Sequence, residues 1–433
     1  MCFQGYAFAF GGQDHTTNTT FIGTRDFASS GPSPAYWFFE FTFSATSVTI
    51  VAGTLAERCQ MSAYLCYSVF LVGLIYPIVA HSMWSKNGFL SHQNIDPFLG
   101  TGALDFAGSG VVHLTGGTTA LYASLVLGPR RGRFYDTQGD PLDIPKAFPG
   151  HSMALQLLGT MILWFGWFGF NGGSALALDR NIGLNAANAA VATAISGASG
   201  GLSALFTNFW LEERRTGEPS FSLVMCMNGA LSGLVAITAG CALVEPWGAL
   251  IMGTVAGWLY IWGSHLLIRL RIDDVVDAIP VHMINGCWGL LGLGLLASPR
   301  KLELAYGHSE HAGWFFDFTD AHLLGAQVCA ALWISGWTLF TMFPFFIWLN
   351  YKGWLRADSL EELVGLDISY HGSTNAAGAG VKKEFVEAYN RHKGNIRRGH
   401  SSNSHSGSTA RGSEADPEQD QEAAAREAMD PDC

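Results

Sequence analysis

The chain has 433 residues, of which 49% are hydrophobic and only 14% are charged. Soluble domains carry about a quarter charged residues, and the charges here lie between long uncharged runs, as they do in polytopic membrane proteins. The formal net charge of -11 identifies no partner, because residues 401–433 alone hold eight acidic residues against two arginines. No basic patch alternates with aromatic residues, which argues against nucleic-acid binding.

The cysteine pattern predicts neither metal nor disulfide chemistry. None of the eight cysteines forms a C-x-x-C pair, and most lie inside or beside apolar runs. We therefore expect no zinc site, no disulfide framework and no cofactor. No nucleophile–base pair or metal-ligand set indicates an enzyme either.

Taken in chain order, the apolar runs predict an all-α membrane protein. Residues 1–12 read as the last turns of a helix, and a polar segment follows. Each later run approaches the roughly 20 residues that a membrane-spanning helix needs. Small residues at four-residue spacing, as in Gly229-x-x-x-Gly233 and Gly253-x-x-x-Gly257, predict close helix packing. The nine predicted spans are 35–56, 61–84, 106–128, 151–175, 185–210, 222–243, 247–269, 279–298 and 321–350.

The connections between the spans alternate in positive charge. One set carries eleven Lys and Arg residues, among them Arg58, Arg130 and Arg356, and the other set carries five. Basic loops stay in the cytoplasm, so we expect the first polar segment outside and the C-terminus in the cytoplasm.

Domain organisation follows from the change in composition after Asn350. Residues 1–350 form the predicted transmembrane domain. Residues 351–398 mix charged and apolar residues and are predicted to form a short ordered cytoplasmic segment. The Ser/Gly-rich and then acidic residues 399–433 are predicted to be a disordered tail.

Two apolar segments place a histidine in the same local pattern, 169 positions apart. His113 precedes Gly116-Gly117, and His282 precedes Asn285-Gly286. Transporters are often built from internal repeats with the substrate path between them. The two histidines either serve helix packing alone or meet in the pore, where a neutral imidazole pair can pass protons.

The charged residues at the helix ends have structural interpretations beside functional ones. Asp105 stands at the head of a predicted helix, where a carboxylate caps the helix and also supports a nearby cation site. Asp277 has the same two interpretations, as a helix cap and as a support for a nearby cation site. We expect Glu57-Arg58 to form an intrahelical or interhelical ion pair at the cytoplasmic interface.

Aromatic residues concentrate at the external ends of three spans. The densest run lies between Trp164 and Ser174, and Phe39, Phe43 and Trp84 lie on two other spans. An interfacial aromatic belt explains this distribution. An aromatic vestibule that holds a small cation, with Ser174 as a hydrogen-bond acceptor, explains it equally well.

Seven strings in this order carry a family resemblance. They are Gly53-Thr-Leu-Ala-Glu57-Arg58, Tyr76-Pro-Ile-Val-Ala-His81-Ser-Met-Trp84, Gly102-Ala-Leu-Asp105-Phe-Ala-Gly, Val-Val-His113, Gly166-Trp-Phe-Gly-Phe170-Asn-Gly-Gly-Ser174, Asp274-Val-Val-Asp277 through His282, and Gly365-Leu-Asp367-Ile-Ser369-Tyr-His371-Gly372. Together they resemble the ammonium transporter family (Amt/Mep/Rh), on the Amt/Mep side.

The resemblance implies a fold and a membrane assembly. The family's fold has eleven helices, arranged as two inverted five-helix halves and a last long helix, in a homotrimer with one pore per subunit. This chain would hold nine full helices and the end of another. The resemblance implies a multi-pass membrane protein, and we expect it in the plasma membrane.

The resemblance also implies a role for each matching residue. Ammonium, or its analogue methylammonium, would bind outside, lose its proton at a phenylalanine gate and cross as ammonia, while the proton passes by way of the histidines. In plant-type members a phosphorylated threonine matches Ser369, which implies a transport domain at 1–350, a regulatory role for residues 351–398 and a kinase that acts on the C-terminal tail. An ordinary turn serine explains Ser369 equally well. The implied roles are external binding by Phe39, Phe43, Trp84 and Ser174, gating by Phe43 and Phe170, a pore pair of His113 and His282, and support by Asp105 and Trp167.

The chain departs from the family pattern in three places. Glu40 stands where relatives carry Gln, and Met283 follows the second histidine where Gly is usual. The first helix and most of the second are missing, so we expect either a fragment or a misplaced start codon, with a natural protein that is longer. The alternatives to transport are accordingly a sensor that binds ammonium without flux, or an inactive truncated chain.

Overall fold

The computed structural model describes residues 4–12, 20–28, 33–136, 138–176 and 180–371. Within these ranges the chain is helical, with isolated β-bridges and no strand. The predicted disordered tail and most of the predicted regulatory segment lie outside them. The helices are α1 (Gly5–Phe10), α2 (Pro34–Leu55), α3 (Met61–Trp84), α4 (Ser109–Leu127), α5 (Met153–Gly173), α6 (Arg180–Thr216), α7 (Leu223–Thr238), α8 (Pro246–Arg269), α9 (Ile279–Leu296), α10 (Pro299–Tyr306), α11 (His322–Tyr351), α12 (Ser359–Val364) and α13 (Leu366–His371).

Eight of these helices are long and apolar enough to cross a membrane, judged over the described residues. They are α2 to α6, α8, α9 and α11, and they match eight of the nine predicted spans. The prediction of an all-α polytopic membrane protein is confirmed. The ninth predicted span, 222–243, is wrong in length, because α7 has only 16 residues and ends at Thr238.

The end of α7 is determined by the loop before α4. The backbone N–H groups of Phe106 and Ala107 donate to the carbonyls of Ala239 and Thr238, at 2.9 and 3.1 Å. The Ser109 hydroxyl donates to Val235 O at 2.6 Å. These donors satisfy carbonyls that would otherwise continue the helical ladder, so the helix stops short of the predicted boundary.

Helices α6, α7 and α8 pack closely through small residues, as the glycine spacing predicts. A Cβ atom at Gly233 or Gly253 would overlap the Ser196 carbonyl of α6. The Ser196 hydroxyl donates to Gly233 O at 2.7 Å, and Ser203 donates to Thr254 O at 3.0 Å. Close backbone approach and such hydrogen bonds replace the hydrophobic effect as the force that holds helices together in lipid.

Helices α4 and α9 lie at the centre of the bundle and run in opposite directions. Each begins with a π-helical turn, Ser109–Leu114 in α4 and Ile279–Ile284 in α9. They pack against each other and against α2, α7, α8 and α11. The two histidine motifs therefore lie in the opening turns of two antiparallel central helices.

Candidate functional site

Three phenylalanine rings from α2 and α5 form a continuous stack near one end of the bundle. The centroids of Phe39 and Phe43 are 4.5 Å apart, and those of Phe43 and Phe170 are 4.1 Å apart with the planes at 20°. Trp84, the last residue of α3, meets Phe43 edge-on at 5.8 Å. Phe39 is half-buried and Phe43 fully buried. We call these four side chains the aromatic vestibule.

The polar groups beside the vestibule are held by backbone carbonyls. The Trp84 indole Nε1–H donates to Asp105 O at 2.7 Å, which fixes the ring plane. The Ser174 hydroxyl donates to Phe170 O at 2.8 Å, and its neighbour Gly173 faces the Phe39 ring. The oxygen of Ser174 keeps lone pairs that can accept from a cation.

The two predicted histidines meet directly beyond the phenylalanine stack. The His113 ring lies 5.8 Å from that of Phe170, and its Nδ1 is 3.2 Å from the Nδ1 of His282. Such a contact requires one imidazole to donate and the other to accept. Trp167 stacks on His113 at 5.2 Å and anchors its own Nε1–H on Thr238 Oγ1 at 2.9 Å. A line of rings thus runs from the vestibule to the histidine pair.

The glycines of the two histidine motifs explain why the imidazoles can meet. A Cβ atom at Gly117 would overlap the backbone nitrogen of Met283, the residue after His282. Reciprocally, a Cβ atom at Gly286 would lie 2.8 Å from the backbone nitrogen of Leu114, the residue after His113. Each helix therefore crosses the other at a glycine one turn beyond its own histidine, and only a residue without Cβ permits that approach.

Asp105 supports the site as a helix cap and does not point into the vestibule. Its Oδ1 accepts from the backbone N–H groups of Gly108 and Ser109, at 3.0 and 2.8 Å. Its Oδ2 accepts from Gly110 and Val111, both at 2.9 Å. One buried carboxylate thus accepts from four backbone N–H groups that have no partner within α4. The geometry therefore favours the interpretation of Asp105 as a helix cap.

Gln327 is a residue of the site that sequence analysis misses. Its side chain is fully buried on α11; its Oε1 accepts from Leu104 N at 2.9 Å, and its Nε2 donates to the carbonyls of Leu104 and Leu290, at 2.7 and 3.2 Å. It therefore joins α9 and α11 to the loop that presents Asp105. A lone amide inside the apolar run 321–350 is the signal that identifies it.

Glu40 introduces a carboxyl group behind the vestibule. The side chain is 4% exposed, and within the described structure its Oε2 has no hydrogen-bond partner. The phenols of Tyr6, Tyr36 and Tyr76 interact electrostatically with this carboxyl group. The acid therefore lies among hydroxyls and not against a basic side chain.

The opposite end of the bundle carries a buried network of arginines. Of the two alternatives expected for Glu57-Arg58, the pair within one helix is wrong, whereas Glu57 does form an ion pair with an arginine that follows another helix. Arg58 donates to the carbonyls of Thr54, Gly128 and Asp273, at 3.0, 2.8 and 2.6 Å. Glu57 has positive φ and turns away to pair with Arg130 at 2.7 Å. The left-handed backbone at Glu57 separates the two neighbouring side chains.

Arg130 also grips Asp273 with two parallel hydrogen bonds. Nε donates to Oδ2 at 2.8 Å and Nη2 donates to Oδ1 at 3.0 Å. Burial alone raises the pKa of Asp273, but the Arg130 guanidinium outweighs it and holds this pKa below its ordinary value. The pair ties the loop after α4 to the loop before α9.

The segment after α11 docks on this arginine end. Glu362 of α12 receives three hydrogen bonds from the Arg356 guanidinium, at 2.9, 2.9 and 3.1 Å, and accepts from the Arg131 backbone N–H at 2.8 Å. Ser369 lies in the following helix, 9% exposed, and its hydroxyl donates to Gly365 O at 3.2 Å. The predicted regulatory serine is therefore packed in place, four residues beyond the break between α12 and α13.

A family model described as "Ammonium Transporter Family" matches residues 1–376. The chain belongs to the ammonium transporter family. This match spans both histidine motifs and the vestibule, and it confirms the resemblance in the sequence.

Several relatives and solved structures give the same result. The chain is 38% identical over 387 residues to ammonium transporter 1 member 3 of Solanum lycopersicum. This alignment covers 85% of this chain and 80% of the relative. It is 42% identical over 350 residues to ammonium transporter Amt2 of Archaeoglobus fulgidus, and this alignment covers 78% of this chain and 69% of the relative. Among structures, it aligns with the Sensor Amt Protein at 32% identity and a TM-score of 0.70, covering 85% of both chains. Saccharomyces cerevisiae Mep2 aligns at 28% identity with a TM-score of 0.69, and the alignment covers 82% of this chain and 76% of Mep2.

Proposed function

We propose that this protein is an ammonium transporter that binds the ion in the aromatic vestibule and passes ammonia through an apolar pore, while the proton moves separately. The observation that carries the proposal is the unbroken line of rings from Phe39 through Phe43 and Phe170 to the contacting histidines. Named relatives that are ammonium transporters support the substrate.

Binding would take place where π faces and an acceptor surround a small cation. Phe39, Phe43 and Trp84 present aromatic rings, and Ser174 presents a hydroxyl oxygen. Cation–π attraction of this kind is worth about 0.5–2 kcal/mol per ring. The site suits ammonium and its analogue methylammonium, since both combine a full charge with small size.

Deprotonation would occur at the gate formed by Phe43 and Phe170. Rings stacked at 4.1 Å leave no space for a hydrated ion. A charged ammonium stripped of water in an apolar channel is unstable by many kcal/mol, whereas neutral ammonia pays far less. The barrier therefore favours loss of the proton before passage.

The proton would then travel by way of His113 and His282. The Nδ1–Nδ1 contact of 3.2 Å supports proton exchange between the rings. His113 Nε2 is buried without a protein partner among the described residues, so it can accept from a molecule in the pore. Neither ring touches a carboxylate that would hold it permanently charged.

The membrane arrangement completes the proposal. The vestibule would face the outside and the arginine end the cytoplasm, by the distribution of basic residues. We propose a homotrimer in the plasma membrane, with residues 1–350 as the transport domain and residues 351–398 as a regulatory segment on which a kinase acts. The outward-facing apolar side chains of α5, such as Phe165 at 80% exposure, fit lipid or a neighbouring subunit.

A test separates the proton path from the ammonia path. In transport-deficient cells, uptake of labelled methylammonium and the accompanying membrane current are measured for wild type, His113→Ala and His282→Ala. We expect each variant to lose current relative to uptake, because the proton route is broken while the apolar pore stays open. The exposed histidine variant His151→Ala should behave like wild type. An unchanged ratio of current to uptake in both pore variants rules out the proton role.

A sensor that binds ammonium without flux is the second candidate. The alignment with the Sensor Amt Protein, at 32% identity, favours it. Binding of methylammonium to the purified protein without uptake by cells that carry it in the membrane would establish this alternative.

A further inference from the structure

A cluster of two histidines and an aspartate lies at the start of α11, at the same end of the bundle as the vestibule. The His311 Nδ1 is 2.7 Å from Asp320 Oδ2, and the His322 Nδ1 is 2.6 Å from Asp320 Oδ1. The two imidazole rings lie 4.6 Å apart. One donor atom from each residue falls within 4.8 Å of the other two.

Asp320 and His311 are each held by a further contact. Asp320 accepts from the backbone N–H of His322 at 3.0 Å, which places its carboxylate at the first turn of α11. A Cβ atom at Gly100 would lie 3.4 Å from His311 Nε2, so the loop before α4 supports that ring.

Helix capping alone does not account for this arrangement. A cap needs one carboxylate oxygen and one backbone N–H, and Asp320 Oδ1 with His322 N already provides them. The convergence of two imidazole Nδ1 atoms on both oxygens is additional. Two imidazoles and one carboxylate are a ligand set of catalytic zinc sites, in which water occupies the fourth position.

The geometry points to a binding site for a borderline divalent transition-metal ion, of which Zn²⁺ is the representative, formed by His311 Nδ1, His322 Nδ1 and the Asp320 carboxylate. Ligand atoms around Zn²⁺ at about 2.0–2.1 Å are roughly 3.3 Å apart. Each Nδ1 therefore moves slightly away from the Asp320 oxygen that it contacts at 2.6 or 2.7 Å, and the ion takes the place of the Nδ1 protons. Both imidazoles bind in the neutral form, with their remaining proton on Nε2.

The exposure of the residues is suited to an ion that arrives from solvent. The side chain of His322 is 54% exposed, while those of His311 and Asp320 are 25% and 16% exposed. An open side leaves room for water as a fourth ligand. The site is separate from the vestibule and does not depend on the transport activity proposed above.

Zinc binding is measured by isothermal titration of Zn²⁺ into the purified full chain, carrying an affinity tag without histidine. We expect saturable binding with one ion per chain, and a loss of at least tenfold in affinity for both His322→Gln and Asp320→Asn. Zn²⁺ should raise the thermal unfolding midpoint of wild type and leave those of the two variants unchanged, since an ion that binds only the folded state stabilises it.

The matched control is His308→Gln, an exposed histidine of the same connection. It should bind Zn²⁺ as wild type does. Because His322 is exposed at a helix start, His322→Gln is expected to fold, which its elution as wild type on size exclusion verifies. Equal Zn²⁺ affinity in wild type and His322→Gln, or the absence of saturable binding to wild type, overturns the proposal.

Discussion

The two tryptophans of the site are each held by a hydrogen bond from the indole N–H, at the edge of the ring. Trp84 donates its indole N–H to Asp105 O, and Trp167 donates its own to Thr238 Oγ1. The indole plane is thus fixed without using the π electrons. A cation next to Trp84 meets a ring that loses little rotational freedom on binding, which is the energetic benefit of preorganisation.

Replacement of Trp84 measures the contribution of its π face. Trp84→Phe and Trp84→Leu both lose the bond to Asp105 O, but only Trp84→Leu loses the aromatic ring. We expect the half-saturating methylammonium concentration of Trp84→Leu to exceed that of Trp84→Phe by about 2- to 30-fold, which corresponds to 0.5–2 kcal/mol of cation–π energy. Concentration-dependent uptake of the labelled analogue provides the measurement. If the two variants have the same half-saturating concentration, the vestibule does not bind the cation through this ring.

At the scale of helices, the central feature is the reciprocal crossing of α4 and α9. Both begin with a π-helical turn, which widens the helix where the histidine emerges. Wide turns of this kind recur at functional sites. The glycine one turn later on each helix, Gly117 or Gly286, then admits the backbone of the other. The spacing of the histidine motif is therefore a packing requirement as much as a chemical one.

Filling either glycine should push the central helices apart. We expect Gly117→Ala and Gly286→Ala to lower the free energy of unfolding by about 1–3 kcal/mol, the usual cost of overpacking, and to separate the two imidazoles. Gly159→Ala on α5 is the control, because a Cβ atom there meets nothing within 4 Å. Thermal unfolding in detergent and methylammonium uptake provide the two measurements. Full stability and uptake in Gly286→Ala would contradict the crossing.

Sequence analysis located the helices and the histidine pair because both leave periodic signals. Long apolar runs identify spanning helices, and the repeated pattern identifies His113 and His282. It missed features that depend on contacts between distant segments. The end of α7 depends on hydrogen bonds from the loop at Phe106, and the partner of Glu57 is Arg130, 73 positions away. No local pattern in the sequence determines these long-range contacts, since more than one buried arginine could have paired with the Glu57 carboxylate.

At the scale of the whole molecule, the arginine end connects the pore helices to the C-terminal segment. Arg130 binds Asp273, which joins the end of α4 to the start of α9. Arg356 donates to the carbonyls of Leu127 and Pro129, at 2.9 and 2.8 Å, while also holding Glu362. The helix that carries His113 is therefore linked through its far end to α12. Displacement of α12 would remove an anchor of α4.

A negative charge at Ser369 should displace that anchor. Ser369 is nearly buried, and the acidic residues Glu361, Glu362 and Asp367 lie within eight positions of it. Desolvation of a carboxylate at this nearly buried position costs about 2 kcal/mol, which raises the population of the undocked segment roughly 30-fold. We expect Ser369→Asp to take up methylammonium more slowly than wild type at equal amounts of protein in the membrane, whereas Ser369→Ala should retain wild-type uptake because it adds no charge. Labelled uptake normalised to membrane protein provides the comparison. Wild-type uptake by Ser369→Asp would show that transport does not depend on the docking of this segment.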